Sequence, residues 1–204
     1  MGGIVIELQS EALDENVSIE SLLRKAYLVA KKLKLREFEE WINQEQDGYS
    51  KKVPKYRNIV GEIKAWNPYH GWIPIVFSQS SIADLASKMP VTNSVSAISD
   101  VYNSSEDIVC LSVNAALTQW LNENVDFVPT KYAFLASKSE LYRIMSTVRN
   151  KILDWAILLE ENGIVGEGMT FTDVEKKTAL NTNVINNYTN NFYAEVSDVD
   201  MQQG

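Results

Sequence analysis

The 204-residue sequence has one histidine, His70, and one cysteine, Cys110. A zinc site of the usual kind needs three or four Cys or His ligands, and a Ser-His-Asp triad would have to run through His70. The composition supports neither. A Cys110–His70 dyad is not excluded by spacing, but a lone cysteine between Val109 and Leu111 reads as core packing. With one cysteine no internal disulfide forms, which points to a reducing, cytoplasmic setting.

Long apolar runs are missing too. Nothing approaches the roughly 20 residues that cross a bilayer, the run at 4–8 is interrupted by Glu7, and the N-terminus lacks the pattern of a secretory signal. No membrane insertion by this segment is expected. GxxxxGK[ST] is absent, as is GxGxxG after a strand; Gly163, Gly166 and Gly168 follow a helix instead of opening one. Glu160, Glu161 and Glu167 lie close in sequence, yet acidic pairs are common in any acidic chain and imply no chemistry without geometry. The expectation is therefore no catalytic residue, no metal and no cofactor.

Positive charge is also short. Nineteen Lys and Arg stand against 27 Asp and Glu, a net charge of −8, which argues against a domain that coats nucleic acid through its phosphates. The one basic cluster, Arg24, Lys25, Lys31, Lys32, Lys34 and Arg36, runs directly into Glu37, Glu39, Glu40 and Glu45. The plain reading is a solvated helix face; the sharper one makes Arg24, Lys31 and Lys32 part of a ligand-binding surface.

What is present is an ordinary globular balance, 45% hydrophobic and 23% charged. The length suits one domain of about 150 residues with an appendage. Helices are expected over 4–15, 18–34 and 36–46. The second is clearest: Ser18 can cap it, and Ile19, Leu22, Leu23, Ala26, Tyr27, Ala30 and Leu33 share one stripe. Tyr56, Ile59, Val60, Ile63 and Trp66 read as a strand. A second strand over 73–77 carries Pro74, which places it at an edge. Short helices follow over 82–88 and 115–122, with strands over 109–113 and 132–136. The longest helix runs from Ser137 to Gly163; Ser137 and Glu140 have capping-box spacing, and Leu141, Ile144, Met145, Val148, Ile152, Trp155 and Leu159 form its apolar stripe. The fold class is α+β and mainly helical: N-terminal helices and a long late helix packed with a small sheet.

Two segments stand out. AWNPYHGWIPI, residues 65–75, sets Trp66, Tyr69, His70 and Trp72 in a turn bounded by Pro68 and Pro74. Such rings either cover the open end of a small core or offer stacking and pocket-filling groups to a ligand. Past residue 165 the chain turns polar, with six asparagines over 181–191 and no Lys or Arg from 184 onward. We expect a globular domain over 1–165 and, over 166–204, an Asn-rich linker or β-prone oligomerisation tail using Val184, Ile185, Tyr188, Phe192, Val196 and Val199. With no closing helix or strand, the chain reads as the front part of a longer protein.

IVIELQSEALDENVSIESLLRKAYLVAKKLKLREFEEWINQE, then AWNPYHGWIPI, then VRNKILDWAILLEENGIVGEGMTF together resemble the AbiTii domain, a bacterial family associated with abortive infection and anti-phage defence. The resemblance covers roughly residues 4–180, and its motifs are long and in order. The tail is similar to the Asn-rich segments that follow such domains and lead into a further effector or membrane part. No family catalytic residues carry over. Two functions are compatible with this picture. One is a non-enzymatic, homo-oligomeric interaction module that assembles or restrains a C-terminal effector. The other is a sensor for a nucleotide or short oligonucleotide signal, with the basic run supplying charge and Trp66, Tyr69 or Trp72 stacking. A hydrolase or nuclease toxin ranks third.

Overall fold

In the computed structural model, residues 2–50, 52–77, 79–124, 130–182, 185 and 188–192 are described. Three helices come first: α1 (Ile4–Leu13), α2 (Ile19–Leu33) and α3 (Arg36–Asp47). Ser18 starts α2 by accepting a hydrogen bond from Ser21 N, and Lys34 ends it in the left-handed conformation at φ 62°. Between them Leu22, Leu23, Ala26, Val29, Ala30 and Leu33 are fully buried, so the apolar stripe is what holds this helix in place.

A 3-10 turn at Lys55–Arg57 leads into β1 (Asn58–Asn67) and β2 (Gly71–Pro74), followed by α4 (Ser80–Ala86), β3 (Lys88–Pro90), α5 (Val95–Ser104), β4 (Ile108–Ser112), α6 (Ala115–Asn124) and β5 (Tyr132–Ser137). The helix α7 (Lys138–Glu161) follows at once, then α8 (Asp173–Asn181) and a 3-10 turn at Tyr188–Phe192. The sheet order is β2-β1-β5-β4, all antiparallel, with β3 on the first residues of β1. The expected mainly helical α+β architecture is what forms.

Helix α7 joins two cores. Its first turns carry Leu141 and Ile144 onto the sheet beside Ile59, Ile63, Val109 and Phe134. Its later turns carry Val148, Ile152, Trp155 and Leu159 into the helical body beside Leu8, Leu22, Phe38 and Trp41. Met145 touches both. At Gly61 the strands come together so closely that an added Cβ would lie 2.4 Å from Leu135 O and 2.6 Å from the Phe134 ring; only glycine fits there.

Several elements differ from those expected on sequence grounds. The strand expected over 73–77 is Gly71–Pro74, because the turn closes at Gly71 (φ +71°) and sets Trp66 opposite Trp72. Helices α5 and α8 are additional to the expected set. Ser94 caps α5, and the capping box belongs to Thr172 and Glu175 at α8. At α7, Ser137 accepts from Ser139 N, while the Glu140 carboxylate accepts from Val60 N at 3.0 Å and from Arg143 at 2.9 Å. It takes up the amide of β1 where β5 has already turned into helix. Packing also continues past residue 165: Phe171 and Ala179 join the helical core, and Glu175 accepts from the backbone N–H of Val165 and Gly166.

Candidate interaction surface

The hairpin between β1 and β2 brings Trp66, Tyr69, His70 and Trp72 together. Asn67 forms its turn, the side-chain oxygen accepting from Tyr69 N at 2.8 Å and His70 N at 3.1 Å, an Asx arrangement that leaves Pro68 at a position suited to its fixed φ. On the other flank, Trp66 N donates to Lys131 O at 2.9 Å and Thr130 Oγ1 donates to Trp66 O at 2.7 Å. The backbone is thus held on both sides. The rings of Trp66 and Trp72 meet edge to face at 5.2 Å and 72°, the cross-strand contact their register dictates. Tyr69 is 91% exposed, Trp66 41%, His70 is exposed and Trp72 half-buried. From 63 to 83 the sequence has no carboxylate and one cation, Lys64, which pairs with Glu62 at 2.7 Å, so this acidic chain leaves one aromatic end free of acidic side chains.

The basic residues lie elsewhere. Arg24 is exposed on α2, Lys31 is paired with Glu39 at 2.5 Å, and Lys32 donates to Met169 O at 2.5 Å. The Glu39 carboxylate raises the pKa of Lys31 above the ordinary lysine value. Lys25 is held by Glu11 at 2.5 Å and Glu7 at 3.4 Å. Among the described residues no hydrogen bond, ion pair or ring contact joins this helix face to the aromatic hairpin. The structure does not assemble the two groups into one pocket.

The tail residues divide as well. Ile185 and Phe192 are buried in the helical core and Tyr188 packs on it; Phe192 meets Trp41, Tyr56 and Tyr188 edge-on, and Lys151 Nζ lies 3.6 Å from its ring centroid. Val184, Val196 and Val199 lie outside the described residues. Cys110 is exposed, not core: on β4 its neighbour Val109 faces inward, and alternation turns Cys110 out. His70, in the β1–β2 turn, is separated from β4 by two strand spacings, about 10 Å, which rules out the dyad.

The AbiTii family model matches residues 3–184. The chain belongs to the AbiTii family. That membership associates it with abortive infection, an antiviral defence. No curated protein and no solved structure matches it.

Two clefts of the AbiTii domain carry no signal in the sequence. One of about 600 Å³ lies over the sheet, lined by Ile63, Met89, Leu111, Leu117 and Phe134. The other, about 450 Å³, lies beside the loop between α1 and α2, where the Tyr102 and Tyr142 rings stand 6.0 Å apart. Arg149 in its wall donates to the carbonyls of Glu11, Ala12, Asp14 and Val17; it closes the C-terminal end of α1. Among the described residues the most enclosed polar cluster is Glu45 with Arg57, Tyr49 and Tyr56. Both charged side chains are fully buried, so no substrate reaches them. Among the described residues there is no group of three His, Cys, Asp or Glu side chains suited to a metal ion, and no helix long and apolar enough to cross a membrane.

Proposed function

We propose that this AbiTii domain is a non-enzymatic interaction module of an abortive-infection protein. It engages another polypeptide through the β1–β2 hairpin and so controls or assembles an effector part outside residues 1–204. The observation that carries this reading is the exposure of Trp66, Tyr69 and His70 on a turn whose backbone is already fixed by Asn67 and Thr130. Rigid aromatic anchors lose little conformational entropy on docking and dominate the energetics of many interfaces. A nucleotide-sensing role has less support, since Lys31 and Lys32 are engaged by Glu39 and Met169 O and stand apart from the rings.

The test is a phage-protection assay on the full-length protein that contains this domain. The double variant Trp66→Ala/Tyr69→Ala is expected to lose protection while its soluble level matches the parent. Retained protection overturns the reading. Protection lost on charge reversal at Lys31 and Lys32, but not on the aromatic changes, moves the function to the α2 face.

A further inference from the structure

Strand β4 is the outer edge of the sheet. It pairs with β5 on one side and, among the described residues, with no strand on the other. The phase of its ladder can be read. Lys138 N donates to Asp107 O at 2.9 Å, so Asp107 directs its backbone groups toward the β5 side, and by the alternation of an antiparallel ladder Val109 and Leu111 do the same. Ile108, Cys110 and Ser112 therefore turn N–H and C=O outward, where no hydrogen-bond partner is found among the described residues.

Sheet edges are ordinarily guarded by lysine, proline, bulges or short length. The opposite edge, β2, has four residues and ends on Pro74. By contrast β4 reads IVCLS, without charge or proline, and Ile108 is 62% exposed. A row of outward main-chain donors and acceptors is matched by one thing above all, another extended strand.

We propose that β4 pairs antiparallel with β4 of a second copy of this chain, about a twofold axis at Cys110, joining the two sheets edge to edge. Charge selects both occupant and direction. Glu106 and Asp107 precede the strand, and Asn114 follows it, capping α6 by accepting from Leu117 N at 2.8 Å. In the antiparallel register Cys110 opposes Cys110, Ile108 opposes Ser112, and Glu106 opposes Asn114. The carboxylates of each copy then lie at the positive end of the other copy's α6. A parallel register would set Glu106 and Asp107 against their own counterparts. The strand is thus complementary to itself in main chain and in charge, and a twofold contact of this kind closes as a dimer. This inference extends the interaction-module reading to a second surface, and the two fail separately.

The experiment uses the whole 204-residue chain, by sedimentation across a concentration series and by cross-linking with a short bis-maleimide. Cys110 is the sole cysteine, so the linkage is unambiguous. A species of twice 23.0 kDa, linked through Cys110, is expected on a denaturing gel. Cys110→Lys sets two cations together on the axis and is expected to raise the dimer dissociation constant about tenfold or more, with an unchanged circular dichroism spectrum. Glu106→Lys, outside the strand, is the second variant and is expected to weaken the dimer in the same direction. A strictly monomeric chain overturns the inference, as does a dimer that survives both variants without cross-linking. A dimer lost with Trp66→Ala and kept with Cys110→Lys also overturns it, and leaves the hairpin as the interaction surface.

Discussion

Glu45 on α3 and Arg57 just before β1 form an ion pair with no solvent exposure on either side chain. Tyr49 and Tyr56 hydroxyls donate to the same Glu45 oxygen at 2.6 and 2.5 Å, Trp41 Nε1 donates to Tyr56 Oη at 2.8 Å, and Arg57 also reaches Val91 O and Asn93 O. Burial opposes the charge on Arg57, and Glu45 outweighs it, so the guanidinium pKa stands above its ordinary value. Burial and the Glu45 charge push the Tyr56 hydroxyl well above the usual tyrosine range. The cluster ties three separate segments together inside the protein. Glu45→Ala leaves Arg57 charged, buried and unpaired, and is expected to cost about 3–5 kcal/mol in urea unfolding. A loss below about 1 kcal/mol would mean that water or another group takes the carboxylate's place.

At the scale of elements, two attachments hold the outer pieces to the frame. Glu140 links α7 to β1. Its pKa is lowered, first by the Arg143 hydrogen bond, with burial opposing and Val60 N adding to the effect. A carboxylate whose folded pKa is depressed stabilises fully above its unfolded pKa, and that stabilisation fades as pH falls through the folded value. The difference in thermal midpoint between the parent and Glu140→Gln is therefore expected to be constant above about pH 5 and to shrink on further acidification; a difference that grows in acid would reverse the assignment. The second attachment is the turn at Tyr188–Phe192. Lys151 lies over the Phe192 ring and, at 5.4 Å, over Tyr56, and burial lowers its pKa. Phe192→Ala is expected to destabilise by about 3–5 kcal/mol. Calorimetry that shows an unchanged midpoint would detach this turn from the folded body.

On the scale of the whole molecule, the sheet has a packed end and an exposed end, and the proposed contacts rest on the exposed one. One end of it is packed under α7; the hairpin end carries exposed rings, and the β4 edge carries main chain with no strand partner among the described residues. Tyr69→Ala removes a side chain that is almost wholly exposed, so unfolding free energy is expected to stay within about 0.5 kcal/mol of the parent. A larger drop would show that the ring supports the fold instead of offering a contact.

The amino-acid sequence by itself determined the elements whose signals are local. The 3.6-residue stripes of α2 and α7 are intrinsic to their order of residues, Ser18 can cap only a helix on its C-terminal side, and Pro74 confines its strand to an edge. With one histidine and one cysteine, residues 1–204 cannot by themselves supply the three or four Cys or His ligands of a usual zinc site, whatever the fold. The short β3 gave no comparable signal, because it is held by its pairing with the distant β1; α5 and α8 carry only short local signals, the Ser94 cap and the Thr172–Glu175 spacing, without a long apolar stripe to announce them. Which of two capping-box spacings is used was also decided in three dimensions: Glu140 had a strand amide to satisfy at Val60, and Glu175 had none nearer than its own cap and the Val165–Gly166 backbone. The same holds for Cys110, which sits between two apolar neighbours in sequence and faces outward only because the pairing of β4 with β5 fixes the parity of the strand. The apolar residues Ile185, Tyr188 and Phe192 could serve a partner or the chain's own core on sequence grounds; the aromatic surface of Phe38, Trp41 and Tyr56, assembled by tertiary packing, captured Tyr188 and Phe192, and Ile185 is buried in the same helical core.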